Sequence, residues 1–451
     1  MPLNPRLDEL SDYPFAALRA LLSDITPRLN TAPIAMSLGE PQHQPPPLLA
    51  ETVAAHAHEW NLYPPMAGTP ELRAAVAEWL TRRYRLPEDM LSPERHILSL
   101  SGTKEGLYLA AMLAVPQQKA GARPVVLVPN PYYLVYNGAA TMAGAEPVFL
   151  DAVRENGFMP DLASIPAATL ERTALCYLCS PANPQGTIAT LDYLKRAIAL
   201  ARRYDFVLAI DECYAEIYDG APPPGGLEAC AALGQGLANV LVFHSLSKRS
   251  SAPGLRVGFV AGDPALIGRF LHLRNYGGCQ VPLPLQAAAA ALWRDEAHVI
   301  ENRVRYRRKF DLAAAALDGR AGFYRPQGGF YLWLEVGDGA RAAAALWRDE
   351  AHVIENRARY RRKFDLAAAA LDGRAGFYRP QGGFYLWLEV GDGARAAVAL
   401  WREAAIRVLP GGYIARPGPG GDNPGERYIR LALVHDEATL ETALARMRRV
   451  L

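Results

Sequence analysis

Residues 240–248 read VLVFHSLSK, and the way that run ends decides the fold. Its first four residues are apolar and partly β-branched, and they give way at once to polar ones. Three other runs behave alike. Residues 125–128 (VVLV) lead into Pro129-Asn130-Pro131-Tyr132-Tyr133, and 174–178 (ALCYL) lead into Cys179-Ser180-Pro181-Ala182-Asn183-Pro184. Residues 206–210 (FVLAI) lead into Asp211-Glu212-Cys213-Tyr214. Short apolar runs of this kind are strands covered on both faces, as in a parallel sheet. Helical patterns lie between them. Residues 190–204 begin at Thr190, a good N-cap, and place Leu191, Leu194, Ile198 and Ala201 on one face. The fold class is therefore α/β, a mainly parallel central sheet sandwiched by helices. Ligands of open parallel sheets bind at the carboxyl ends of the strands.

Outward from that centre, the stretch to Pro47 is rich in proline and polar residues and reads as an arm. Residues 71–84 and 288–317 read as helices, and 322–336, containing PQGGFYLWLEV, as a long strand or strand pair. Residues 428–434 read as a strand and 436–451 as a last helix. The chain has 451 residues, 50% hydrophobic and 21% charged, enough for a sizeable core and too apolar for disorder. A net charge of +2 argues against a nucleic-acid surface. No apolar run reaches the roughly 18 residues of a membrane span, and Met1 to Phe15 lacks the apolar centre of a signal peptide. Five scattered cysteines favour a reducing cytoplasm over a disulfide framework.

Part of the length is counted twice. Residues 288–348 align with 342–402 at an offset of 54, and differ only at Val304 against Ala358 and Ala344 against Val398. Repeat arrays diverge in sequence, so a nearly exact copy is a recent tandem duplication or an error in the gene's assembly. Without one copy the chain would be 451 minus 54, or 397, residues long. Only one copy of the GGFYLW strand can take a given place in a sheet. The second copy is expected to dock, because it runs directly into residues 406–409, and the first to be extruded.

The strand ends offer an acid, a lysine flanked by serines, an asparagine and an aromatic pair. A lysine screened from water has a lowered pKa and can form a Schiff base with an aldehyde. A carboxylate can keep a pyridinium nitrogen protonated, which makes that ring an electron sink. Ser101-Gly102-Thr103-Lys104 opens a helical stretch and supplies N–H groups and hydroxyls for a phosphate. Arg256, eight residues after Lys248, adds a charge-assisted contact. The set suits pyridoxal 5′-phosphate.

On Ser245-Leu246-Ser247-Lys248, Gly254-Leu255-Arg256-Val257-Gly258, Asp211-Glu212-Cys213-Tyr214 and Asn183-Pro184, the chain resembles the fold-type I pyridoxal-phosphate aminotransferases of class I/II. The resemblance implies a large cofactor-binding domain at 48–287 and a smaller α+β domain at 288–451. The smaller domain would hold both copies (288–341 and 342–395), with 1–47 as an arm and part of it. It also implies roles. Lys248 would carry the cofactor and move the proton, and Asp211 would pair with the ring nitrogen. Asn183 and Tyr214 would contact the ring hydroxyl, and Tyr133 would stack on the ring. Gly102, Thr103, Lys104, Ser245 and Arg256 would hold the phosphate. Tyr63 would reach the phosphate of a neighbouring subunit, implying a homodimer. Arg430 would fork onto the substrate α-carboxylate, faced by Gly39.

Within the family, residues such as His244, Arg249-Ser250 and Gly225-Gly226-Leu227-Glu228-Ala229 resemble the branch acting on N-succinyl-diaminopimelate in bacterial lysine biosynthesis, with glutamate as donor. A distal carboxylate wants a second cation, for which Arg274 is the candidate. Alanine, aspartate or aromatic transamination and C–S lyase chemistry remain open, as does a protein made inactive by its duplication. No metal site is expected. Cys176 and Cys179 share a strand, where i and i+3 point to opposite faces. His298 and His352, one residue in two copies, are expected on an exposed helix face. Trp293, Trp347 and Trp401 are expected at core positions. Gly418–Gly421 lacks the strand and helix of a dinucleotide loop.

Overall fold

The computed structural model describes residues 3–10, 14–23, 36–37, 39–320, 322–348, 362–374, 376–379, 385–413, 415, 423–433 and 437–451. The chain divides into two compact units, the first comprising Met1–Asp12 and Met36–Gly337, the second Tyr13–Ala35 and Asp338–Leu451.

The first unit is built on a seven-stranded sheet. Its strands are β1 (Ile97–Leu100), β2 (Val125–Asn130), β3 (Glu146–Asp151), β4 (Thr173–Cys179), β5 (Val207–Asp211), β6 (Val240–Ser245) and β7 (Gly258–Gly262). The order is β1-β7-β6-β5-β4-β2-β3. Strands β3, β2, β4, β5 and β6 run parallel, and β7 is antiparallel to both neighbours. Every residue of β4, β5 and β6 is buried, as their apolar runs require. Helices cover both faces. Leu191–Arg203 is capped by Thr190, whose hydroxyl accepts from Tyr193 N at 3.1 Å, and it buries Leu194, Ala197, Ile198 and Ala201. The parallel register pairs Cys179 with Asp211 and Asp211 with Phe243. The polar ends of β4, β5 and β6 are thereby brought side by side.

The expected helix at 288–317 is broken into Leu283–Arg294 and Ala297–Leu317. The Asp295 carboxylate accepts from His298 N at 3.2 Å and so restarts the helix one turn on.

The second unit holds a three-stranded antiparallel sheet, β8 (Tyr385–Glu389), β9 (Leu409–Pro410) and β10 (Tyr428–Ala432), in the order β8-β10-β9. Leu386, Leu388, Leu400, Ile429 and Leu444 form its core. Strand β8 comes from the second copy of the repeat, and with β9 it fills both edges of β10.

The first copy is not extruded, and residues 322–336 form no strand. They make one isolated bridge, Gly328 with Tyr218. The Tyr324 hydroxyl donates to Gln185 O at 2.6 Å, Gly328 N donates to Gly186 O at 2.9 Å, and Arg325 grips Asp219 at 2.6 and 2.8 Å. These ties lie in the first unit. The division between units therefore falls at Gly337 rather than at residue 287, and residues 36–47 belong with the first unit. His352, residues 382–384 and the glycines at 418–421 lie outside the described residues.

Leu388 is buried in the second unit, whereas its copy Leu334 is only half-buried. Leu388→Ala should lower stability by about 2–5 kcal/mol, while Leu334→Ala should cost about 1 kcal/mol or less. Urea unfolding of the two variants checks this.

Candidate active site

The carboxyl end of β5 presents Asp211. Its side chain is buried and accepts from Tyr136 Oη at 2.8 Å and from Cys213 N at 3.2 Å. Burial pushes its pKa above the ordinary carboxylate range, and the bonds from Cys213 and Tyr136 oppose that shift only in part. Tyr136 was not foreseen. It lies one helical turn after Tyr133, inside Leu134–Ala143, and stacks on Tyr177 with ring centroids 4.6 Å apart. The i, i+3 spacing of two tyrosines just past a strand end was the available signal. Tyr133 meets the Tyr136 ring edge-on at 5.7 Å.

The end of β4 brings Asn183 beside the segment after β5. Its Nδ2 donates to Tyr214 Oη at 3.5 Å, and Tyr331 Oη lies 3.1 Å from the same oxygen. Tyr331 and Phe330 belong to the first copy of the repeat.

The end of β6 continues into the short helix Leu246–Arg249, which carries Lys248. Its ammonium donates to Gly39 O and lies 5.0 Å from the centre of the Phe330 ring. Desolvation lowers its pKa below that of an ordinary lysine. Gly39 is packed so closely that an added Cβ would lie 1.8 Å from Tyr331 Oη.

Between β1 and the helix Thr103–Ala114 lies the candidate phosphate cup. Gly102 precedes that helix with φ +79, and a Cβ there would sit 2.2 Å from Arg256 Nη2. Only glycine satisfies both demands. Arg256 donates to Ser101 O at 3.4 Å and to Pro253 O at 3.1 Å. Thr103 Oγ1 lies 3.0 Å from Cys213 Sγ, so the cup and the Asp211 segment touch. Ser245 Oγ accepts from Ser247 N at 3.1 Å. Lys104 is exposed in the first turn of the helix, where N–H groups lack intrahelical acceptors.

Three expectations are corrected. Arg274 is 1% exposed and cannot serve a substrate carboxylate. Its donors are consumed by Glu105 at 3.3 Å, Met66 O at 2.8 Å, Ser99 O at 2.6 Å and Cys279 O at 2.6 Å. Glu105 in turn accepts from Ser101 N at 2.7 Å, so the pair braces the loop before the cup. His298 is not on an exposed face; it bonds Asp295 and Ser250. Trp293 is buried against Trp79 and Phe259 as expected, but Trp401 is 55% exposed.

Tyr63 is 96% exposed. Arg430 stands on β10, opposite Trp387 and Leu409, in the second unit. Among the described residues no helix is long and apolar enough to cross a membrane.

Residues 32–339 match the family Aminotransferase class I and II. The chain is 37% identical over 306 residues to the 4-dedimethylamino-4-oxo-anhydrotetracycline transaminase OxyQ of Streptomyces rimosus, covering 67% of this chain and 79% of that one. It is 32% identical to the LL-diaminopimelate aminotransferase of Desulforudis audaxviator, over 77% of this chain and 88% of the other. Among solved structures, an aminotransferase from Neisseria meningitidis superposes with a TM-score of 0.65 at 36% identity, covering 99% of each chain.

The raised pKa of Asp211 sets a pH dependence. In the cofactor-free protein its contribution to stability is present below the unfolded carboxylate pKa of about 3.9 and is lost as pH rises through the higher folded value. Asp211→Asn should therefore raise the melting temperature of the cofactor-free protein at neutral pH. The gain should shrink towards acid pH; calorimetry across pH measures it.

Proposed function

Because the chain belongs to the class I and II aminotransferase family, we propose that it moves an amino group between glutamate and a long 2-oxo acid of the diaminopimelate type. The family uses pyridoxal 5′-phosphate, and the residues fit it. The observation that carries the reading is a desolvated lysine on the short helix that follows β6, the strand beside β5, which ends in a buried carboxylate. Among the described residues, that carboxylate accepts from a phenol and a backbone amide, so a protonated ring nitrogen would supply its missing counter-charge. Gly102 leaves open the space that a side chain would take from Arg256.

When bound, the cofactor supplies an electron sink for the carbanion left at the substrate Cα. The chain does the rest. Asp211 would hold the proton on the ring nitrogen, Asn183 and Tyr214 would hydrogen-bond the ring hydroxyl, and Tyr133 would pack against the ring. Gly102, Thr103, Lys104, Ser245 and Arg256 would hold the phosphate. The Lys248 amine, whose pKa desolvation lowers, would take the proton from the substrate Cα and return it. Arg430, on β10, would bind the substrate α-carboxylate. Tyr63, with Trp60 and Leu62 exposed near it, reaches the partner's phosphate in a cytoplasmic homodimer.

The substrate class rests on the sequence resemblance and on the relatives' names. The resemblance points to N-succinyl-diaminopimelate, while the LL-diaminopimelate aminotransferases among the relatives favour the free diamino acid. Arg274 is committed to Glu105 and to carbonyls, so it takes no part in choosing between them.

The test is a single turnover. Cofactor-loaded protein mixed with glutamate should release one equivalent of 2-oxoglutarate, and a protein that releases none is not this aminotransferase. Rates with LL-diaminopimelate, its N-succinyl derivative, alanine, aspartate and phenylalanine rank the substrates, and release of a thiol with ammonia and pyruvate from an S-substituted cysteine would mark a C–S lyase. Lys248→Ala should lower the turnover by at least about 10²–10⁴-fold.

A further inference from the structure

The repeat offers each of its side chains twice, and the two copies do different work. The loop after Lys248 is held almost entirely from the first copy. Asn302 Nδ2 donates to Lys248 O at 3.3 Å and to Arg249 O at 3.4 Å, and its Oδ1 accepts from Ser251 Oγ at 3.3 Å. Ser250 Oγ lies 2.8 Å from His298 Nε2, and the other ring nitrogen is bonded to Asp295. The Arg249 guanidinium donates to Leu292 O at 2.6 Å and to Glu296 at 2.8 Å. All of these are buried or half-buried. The segment after Asp211 is held from the same copy. Arg303 donates to Glu216 O at 3.1 Å, and Arg325 grips Asp219.

The described part of the second copy serves elsewhere. Phe364, Ala367 and Leu371 are buried in the core of the second unit, and Lys363 Nζ donates to Leu433 O at 3.0 Å. Of their first-copy counterparts, Phe310 is buried as well, whereas Ala313 and Leu317 are only half-buried. One helix's two duties, bracing the lysine loop and filling the small core, are thus split between two nearly identical segments.

We propose that the first copy of the repeat is the positioning element of the active site, with Asn302 and His298 fixing the Lys248 loop, while their twins Asn356 and His352 have no such role. This rests on Lys248 being the residue that holds the cofactor. Place beside the loop is already taken by Asn302, so removing its twin leaves the loop's bonds intact. A wholly redundant copy predicts the opposite, because either asparagine would then serve.

The test compares Asn302→Ala with Asn356→Ala in the full chain. Three quantities are read: the fraction of cofactor trapped on Lys248 by borohydride, the pH midpoint of the bound cofactor's absorbance, and kcat against KM. Asn302→Ala should shift the midpoint, reduce trapping and lower kcat about tenfold, as losing its three hydrogen bonds to the loop implies, with KM little changed. Asn356→Ala should match the parent in all three. Equal losses in the two variants, or no loss in Asn302→Ala, overturn the proposal. If Asn302→Ala does not fold, Ser250→Ala removes only the hydroxyl facing His298. Reduced trapping there supports the proposal, and unchanged trapping defeats it. Lys248→Ala separates the two readings. If it still traps cofactor, the lysine assignment fails. If it traps none while the twin variants lose equally, only the assignment of the copies fails.

Discussion

The site depends on one uncomfortable charge. Asp211 and Glu212 are consecutive, so their side chains leave the chain on opposite sides. Both are buried. Glu212 is well compensated: Tyr84 Oη lies at 2.8 Å, Gly226 N at 2.7 Å and His244 Nε2 at 2.8 Å. Asp211 receives a phenol and one backbone N–H. Taking an ion out of water costs several kcal/mol even after relaxation, while a hydrogen bond to a charged group returns about 1.5–3 kcal/mol. Two such bonds leave Asp211 short of a cation. The fold accepts that deficit at one position, and the rest of the site is arranged around the group that would relieve it.

The parallel sheet makes that arrangement possible. The register setting Cys179, Asp211 and Phe243 abreast puts the segments carrying Asn183, Asp211 and Lys248 on one edge, though they are far apart in sequence. This was legible beforehand. Apolar runs that stop at polar residues mark both the strands and their functional ends, and the order of chemistry along the chain needs no knowledge of packing. The Thr190 cap and the buried face behind it were legible for the same reason, since both are set by neighbours in sequence.

Long-range partners were not legible. Nothing local distinguishes Arg274, whose guanidinium is spent on Glu105, 169 residues away, from an arginine reserved for substrate. Tyr136 owes its role to a carboxylate 75 residues on. The hydrophobic pattern of 322–336 reads as a strand because the identical residues 385–389 are one. Whether such a sequence pairs depends on a free edge, and β10 has only two. The break before Ala297 likewise needed Asp295 to be seen capping, because the apolar period continues through it.

The duplicated helix also has an evolutionary reading. A gene with two identical segments ordinarily leaves one copy to decay. Here the two copies are held through largely different residues: the first by those facing the lysine loop and by Tyr324 to Tyr331, the second by those in the small core. Purifying selection would then act on different positions in each copy, and drift on the rest. Exposed Val304, where the copies already differ, falls on a part of the first copy outside those bonds. Loss of either copy's working residues would be repairable only by deleting a whole unit, so divergence would entrench the longer chain.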